Sequence, residues 1–143
     1  MFGISAILIL FIKPELLKSV ASIKNTTKIE ESLEALYQKI EAFFFENKGY
    51  LNHNYTQANI SIDTGISYEL VRKSIKSCSN MTVPLFINSY RIKYACQLIE
   101  QDYLQSYSME ALAEMAGFGS QVSFNRVFKK LKNSTPSEYL KAI

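Results

Sequence analysis

His53 is the only histidine of this chain, Asp63 and Asp102 are its only aspartates, and Cys78 and Cys96 its only cysteines. Two thiols so far apart, with a single imidazole, cannot assemble a metal site. No metal is expected, and the thiols are read as packing or plainly exposed residues of a reducing compartment. A glycine-rich phosphate loop, a His-Glu-x-x-His run and a recognisable Ser or Cys nucleophile are all missing. The chain is therefore not read as an enzyme, with no catalytic residue to name and no cofactor to expect. Five glycines and three prolines are too few for a turn-rich β fold and point to helices. Nor is one sign of charge in excess, since the formal net charge is only +3.

The chain does hold apolar residues, 48% of its 143, enough for the core of one domain with a small appendage. Its charge is unevenly placed. Residues 1–66 carry six Lys against seven acids, whereas residues 67–143 carry ten basic residues against six acids. The positive charge of that second half gathers in residues 72–93 and 126–132, and residues 95–116 hold four acids and no base.

Residues 1–12, MFGISAILILFI, carry no charge and are followed by Lys13, Lys18, Lys24 and Lys28. Twelve helical residues span about 18 Å, short of a hydrocarbon core of about 30 Å. The order of charge and apolar run is the reverse of a signal peptide's. The segment reads as the tail of a spanning helix, an apolar anchor or a segment docked on the domain. The lysines favour the membrane readings, because they sit where the positive-inside rule places them if the following domain is cytoplasmic. Residues 13–27 read as a connector, and residues 28–143 as the domain. Thr27 and Glu30 have capping-box spacing, so a helix is expected from there to about Asn47, carried by Ile29, Leu33, Leu36, Tyr37, Ile40, Phe43 and Phe44. The run Phe43, Phe44, Phe45 is read as core.

The most informative stretch is residues 108–139. Ser108 is a good N-cap, Met109, Leu112, Ala113 and Ala116 recur at helical spacing, and Gly117 ends the helix where a positive φ is cheap only for glycine. Ser120 caps a second helix whose inward stripe is Val122 or Ser123, then Phe124, Val127, Phe128 and Leu131. Gln121, Asn125, Arg126, Lys129 and Lys130 face elsewhere, and no acid occurs over residues 117–132. The same pattern stands earlier in the chain. Ile60, Gly65 and Ile66 match Leu112, Gly117 and Phe118 at an offset of 52, and Ser67, Val71, Ile75, Asn80, Thr82 and Phe86 match Ser120, Phe124, Phe128, Asn133, Thr135 and Tyr139 at 53. Gly119 is the inserted residue, in a turn that tolerates it. By this repeat, Gly65 and Gly117 should be equivalent in the cost of substitution. Between the copies a long helix is expected from Thr82 to about Gln101, with Phe86, Tyr90, Ala95, Leu98 and Ile99 on one face, and Thr135-Pro-Ser-Glu138 opens a last short helix.

Two helix-turn-helix units bridged by a long helix make an all-α architecture. With Leu112-Ala113, Gly117-Phe118, Phe124, Phe128-Lys129 and residues 135–139 in the second unit, and Tyr90-Arg91-Ile92 with Ala95 in the bridge, the chain resembles the DNA-binding domain of AraC/XylS-type transcriptional regulators over about residues 40–143. The first unit departs from the pattern at Ile60-Ser61 and Ile75, and both unit ends carry Asn80 and Asn133 where the family usually has Gly. The resemblance implies double-stranded DNA as partner, with RNA polymerase as a second, and some members attach the domain to a membrane region. It implies base-edge readers at Glu69, Arg72 and Lys73 in the first unit and at Gln121, Ser123, Asn125 and Arg126 in the second. Arg, Gln and Asn have the fork geometry for G and A edges, whereas Glu69 could instead cap its own helix. Lys76, Lys93, Lys129 and Lys130 are read as meeting phosphate or simply solvating, and Arg91 as tying helices together. A helical protein-interaction module that kept the fold without specific DNA binding is the competing class.

Overall fold

The computed structural model describes residues 14–143, which form seven α-helices and two short 3-10 turns, with no strand among the described residues. The apolar segment 1–12 lies outside them, and no helix of the described residues is long and apolar enough to cross a membrane.

The first helix, α1 (Pro14–Glu46), is unbroken over 33 residues. This corrects the expected start at Thr27. The hydroxyls of Thr26 and Thr27 donate back to the carbonyls of Ser22 and Ile23, each at 3.0 Å, which is the bond a threonine makes inside a helix. Residues 14–27 are thus helical, and Ser22, Ile23 and residues 26–31 are exposed. The last three turns of α1 enter the fold. Ile40 and Phe44 are buried, Phe43 is half-buried, and Phe45 departs from the core reading with 85% of its surface exposed.

After a 3-10 turn, Gly49–Leu51, come α2 (Gln57–Thr64) and α3 (Tyr68–Ser79), joined through Gly65 at φ +68°. Asn80 ends α3 at φ 55°, a left-handed position that asparagine tolerates. The bridging helix α4 (Val83–Glu100) leads through a second 3-10 turn, Tyr103–Gln105, to α5 (Met109–Met115), α6 (Gln121–Lys132) and α7 (Pro136–Ala142). Ser108 accepts from Ala111 N at 3.1 Å, Ser120 accepts from Ser123 N at 3.2 Å, and Thr135 and Glu138 complete a capping box. Gly117 takes φ +82° and Asn133 φ 57°. The backbone therefore repeats the sequence repeat.

Two apolar cores result. Ile40, Phe44, Tyr50, Ile60, Ile66, Val71, Ile75, Val83, Phe86 and Ile87 form the first. Ile92, Ala95, Cys96, Ile99, Leu112, Ala113, Ala116, Phe118, Phe124, Val127 and Phe128 form the second. The bridge serves both, which corrects the single face expected of it. At about 100° per residue, Val83, Phe86 and Ile87 lie on one side of α4, and Ile92, Ala95, Cys96 and Ile99 lie roughly opposite. Cys96 is buried and Cys78 half-buried, both as free thiols.

Arg91 lies between the two cores and is only 8% exposed. Its Nε donates to Tyr50 O at 2.6 Å, its Nη2 to Asn52 O at 2.8 Å, and its Nη1 to Asn88 Oδ1 at 3.1 Å. The guanidinium also sits 5.7 Å from the ring centre of Phe118, in the turn of the second unit. That turn touches the same loop: a Cβ on Gly117 would stand 2.6 Å from Leu51 O and 2.8 Å from Leu51 Cα. The loop after α1 is thus wedged between the units, and Arg91 satisfies its carbonyls.

Candidate nucleic-acid interface

α3 and α6 each bury one stripe, Val71, Ser74 and Ile75 in the first and Phe124, Val127 and Phe128 in the second. Their other faces hold the residues singled out from sequence. Glu69, Arg72, Lys73 and Lys76 are exposed on α3, and Arg126, Lys129 and Lys130 on α6, while Gln121, Ser123 and Asn125 are half-buried. Of the inward alternatives at the start of α6, Val122 is excluded, since it is 80% exposed. Asn125 is only partly outward, because its Oδ1 is shut off from solvent with no hydrogen-bond partner.

The two outer faces differ electrostatically. Glu69 holds Arg72 through two bonds, Nη2 to Oε1 at 2.7 Å and Nε to Oε2 at 3.2 Å, and its Oε1 lies 3.6 Å from Lys73 Nζ. The Arg72 hydrogen bond holds the Glu69 carboxyl below its ordinary range, and the same bond raises the guanidinium. The carboxylate therefore turns to its own helix's cations instead of capping the helix end. Lys76 Nζ is engaged too, donating to Asn80 Oδ1 at 2.7 Å. Among the described residues no ion pair involves α6, so Arg126, Lys129 and Lys130 present open charge.

Both helices open beside the same side of the bridge. One hollow is lined by Tyr68 at the start of α3 with Gln57, Pro84 and Asn88. Another is lined by Arg126 and Lys130 of α6 with Thr82, Pro84, Leu85 and Asn88. Pro84 and Asn88 belong to both, so α3 and α6 flank one face of α4. The structure does not bring Lys93 there. It lies roughly opposite Pro84 and Asn88 around α4, with its Nζ 4.9 Å from the Tyr90 ring centre, in a hollow shared with its neighbour Tyr94 and with Glu41 and Phe45 of α1. Sequence reasoning passed over Tyr68 and considered Val122 only as an inward residue, and both are exposed on the outer faces of α3 and α6. The offset of 53 could have found both, since it pairs Tyr68 with Gln121 and Val122 with Glu69.

Two helical hairpins, each turned by a left-handed glycine and sharing a bridge, define a tandem helix-turn-helix domain. A family model described as a helix-turn-helix domain matches residues 60–142, and the chain belongs to this family, in the AraC-type arrangement that the resemblance implied. Histidine kinase P4 of Formosa agariphila is 27% identical over 118 residues, 81% of this chain and 8% of that protein. The TCP pilus virulence regulatory protein of Vibrio cholerae is 28% identical over 116 residues, 81% of this chain and 39% of that protein. The chain thus spans well under half the length of either. A DNA-binding transcriptional dual regulator from Escherichia coli K-12 has the same fold, with a TM-score of 0.60 at 23% identity over 74% of this chain and 89% of that one.

Proposed function

We propose that this chain is the DNA-binding part of a transcriptional regulator, placing α3 and α6 in successive major grooves on one face of a duplex. The observation that carries this is the pair of equivalent outer helices flanking the Pro84 and Asn88 side of α4. Groove-entering helices one turn of duplex apart would be separated by about 34 Å. Arg72, Lys73, Gln121, Ser123 and Arg126 would meet base edges, with Asn125 contributing only the part of its amide that reaches solvent. Glu69 would tune Arg72 and Lys73 in place of reading a base itself. Lys76, Lys129 and Lys130 would meet phosphate. RNA polymerase is the further partner such a regulator acts on. Residues 1–12, uncharged and followed by lysines, would tether the domain on the cytoplasmic side of a membrane through the start of α1.

Enrichment from a pool of random duplexes tests this reading, followed by binding curves at several salt concentrations. Two half-sites about 10–10.5 base pairs apart are expected. Lys129→Ala should weaken all sequences alike and lower the salt slope by about one, whereas Arg126→Ala should cost roughly 1–3 kcal/mol mainly at one base position. Failure to enrich any sequence would favour the protein-interaction class and overturn the proposal.

A further inference from the structure

Val122 is the second residue of α6 and 80% exposed. The stripe that α6 turns inward is supplied by Phe124, Val127 and Phe128, so the fold gains nothing from this valine. It carries two local disadvantages instead: a β-branched residue is a weaker helix former than Gln or Arg, which stand at 121 and 126, and its apolar surface stays in water. Its position gives it another use. Val122 lies between Gln121 and Ser123, 53 positions after Glu69 and one helical turn before Arg126, which itself lines the hollow beside Pro84 and Asn88. The N-terminal residues of a groove-entering helix are those that reach base edges, and the apolar feature the major groove offers there is the C5-methyl group of thymine.

Resting on the DNA-binding reading above, we propose that Val122 is a specificity residue that packs its methyl groups on a thymine C5-methyl group, giving the second unit a preference for thymine at the position it faces. Branching at Cβ confines χ1 to one dominant rotamer in a helix, so the methyls are held in place before binding and little freedom is lost. The surroundings select this occupant over an apolar one. Its α6 neighbours Gln121, Ser123 and Arg126 are polar or cationic, with Lys129 two turns on, which suits a polyanion with a methyl in its groove and opposes burial against an apolar protein face.

The test compares a duplex enriched by the full chain with the same duplex carrying deoxyuridine in place of thymidine, one position at a time. This deletes the methyl and keeps the pairing. At one or two positions the parent should bind the deoxyuridine duplex about fourfold more weakly, the factor one buried methyl group carries. Val122→Ala should bind both duplexes equally at those positions, and Val122→Thr, which keeps the branch but trades a methyl for a hydroxyl, should show a smaller difference than the parent. Equal binding by the parent at every position, or a difference that survives in Val122→Ala, overturns the inference and leaves the DNA-binding reading standing. Failure to enrich any duplex overturns both. An unchanged or raised melting temperature for Val122→Ala separates a binding effect from a folding one.

Discussion

The two helix-turn-helix units have the same backbone and different surroundings. Gly65 and Gly117 turn at φ +68° and +82°, and Asn80 and Asn133 close the outer helices at φ 55° and 57°. Ile75 and Phe128, one unit apart, are both fully buried. Outward, the units diverge. The first neutralises its own cations through Glu69 and holds Lys76 at the end of α3, while the second has no acid on its outer helix. Inward, they diverge at the glycines: a Cβ at Gly65 would meet nothing within 4 Å, whereas at Gly117 it would collide with the Leu51 backbone. The left-handed turns and the buried stripe are held alike because the fold needs them, whereas capping is not: Ser120 and Thr135 accept cap bonds that their counterparts Ser67 and Thr82 do not make, and the outer faces are free to differ. We read the second unit as the stronger anchor on DNA and the first as the weaker, self-restrained one.

The largest expected break in this comparison is at the glycines. Gly65→Ala should cost about 1–2 kcal/mol, the strain of a left-handed alanine. Gly117→Ala adds overpacking against a backbone that cannot step aside and should cost about 3 kcal/mol or more. Urea melts of the two variants measure this, and equal losses would show that the Leu51 contact is relieved at little cost. Next comes the staple. Arg91→Met strands the carbonyls of Tyr50 and Asn52 and removes the contact with Phe118, for about 2 kcal/mol or more. Arg91→Lys should recover only part, since an ammonium lacks the planar fork that reaches both carbonyls. In either variant the affinity for a two-site duplex should fall more than that for a duplex with the second half-site alone, because Arg91 fixes how the units sit relative to one another.

A smaller effect sharpens the electrostatic contrast. Glu69→Gln should raise duplex affinity several-fold and steepen the salt slope by about one, since Arg72 and Lys73 become free to meet the nucleic acid. An unchanged slope would mean that the pair already opens at no cost. The smallest effect is at the helix ends. Asn133→Gly should be neutral or stabilising by a few tenths of a kcal/mol, because glycine adopts the left-handed conformation more readily. Asn80→Gly should gain less, as it loses the bond from Lys76 Nζ to Asn80 Oδ1. Thermal melts would distinguish the two.

Where a feature depends on neighbours within a few residues, it was legible beforehand. Ser108, Ser120 and the Thr135–Glu138 pair cap as expected because a cap is a bond to a backbone amide three residues away. Thr27 misled because the same spacing that makes a capping box also fits the interior of a helix, where the hydroxyl bonds backward. The outward residues of α3 and α6 could be named from helical period, but not their engagement. The two hydrogen bonds from Arg72 to Glu69, and the burial of Asn125 Oδ1, depend on rotamers that periodicity does not set.

By itself the sequence determined the helices of the two units, their turns and the repeat, though not the start of α1, because caps, left-handed residues and apolar period act over one or two helical turns. Only the tertiary structure decided how those units meet. Arg91 finds its carbonyl partner at Tyr50, 41 residues away, Gly117 needs its missing side chain because of Leu51, and Lys93 turns away from the face shared by α3 and α6 because α4 must offer opposite sides to two cores. These are contacts between segments distant along the chain, set by how the two cores pack against the bridge, and no local pattern encodes them.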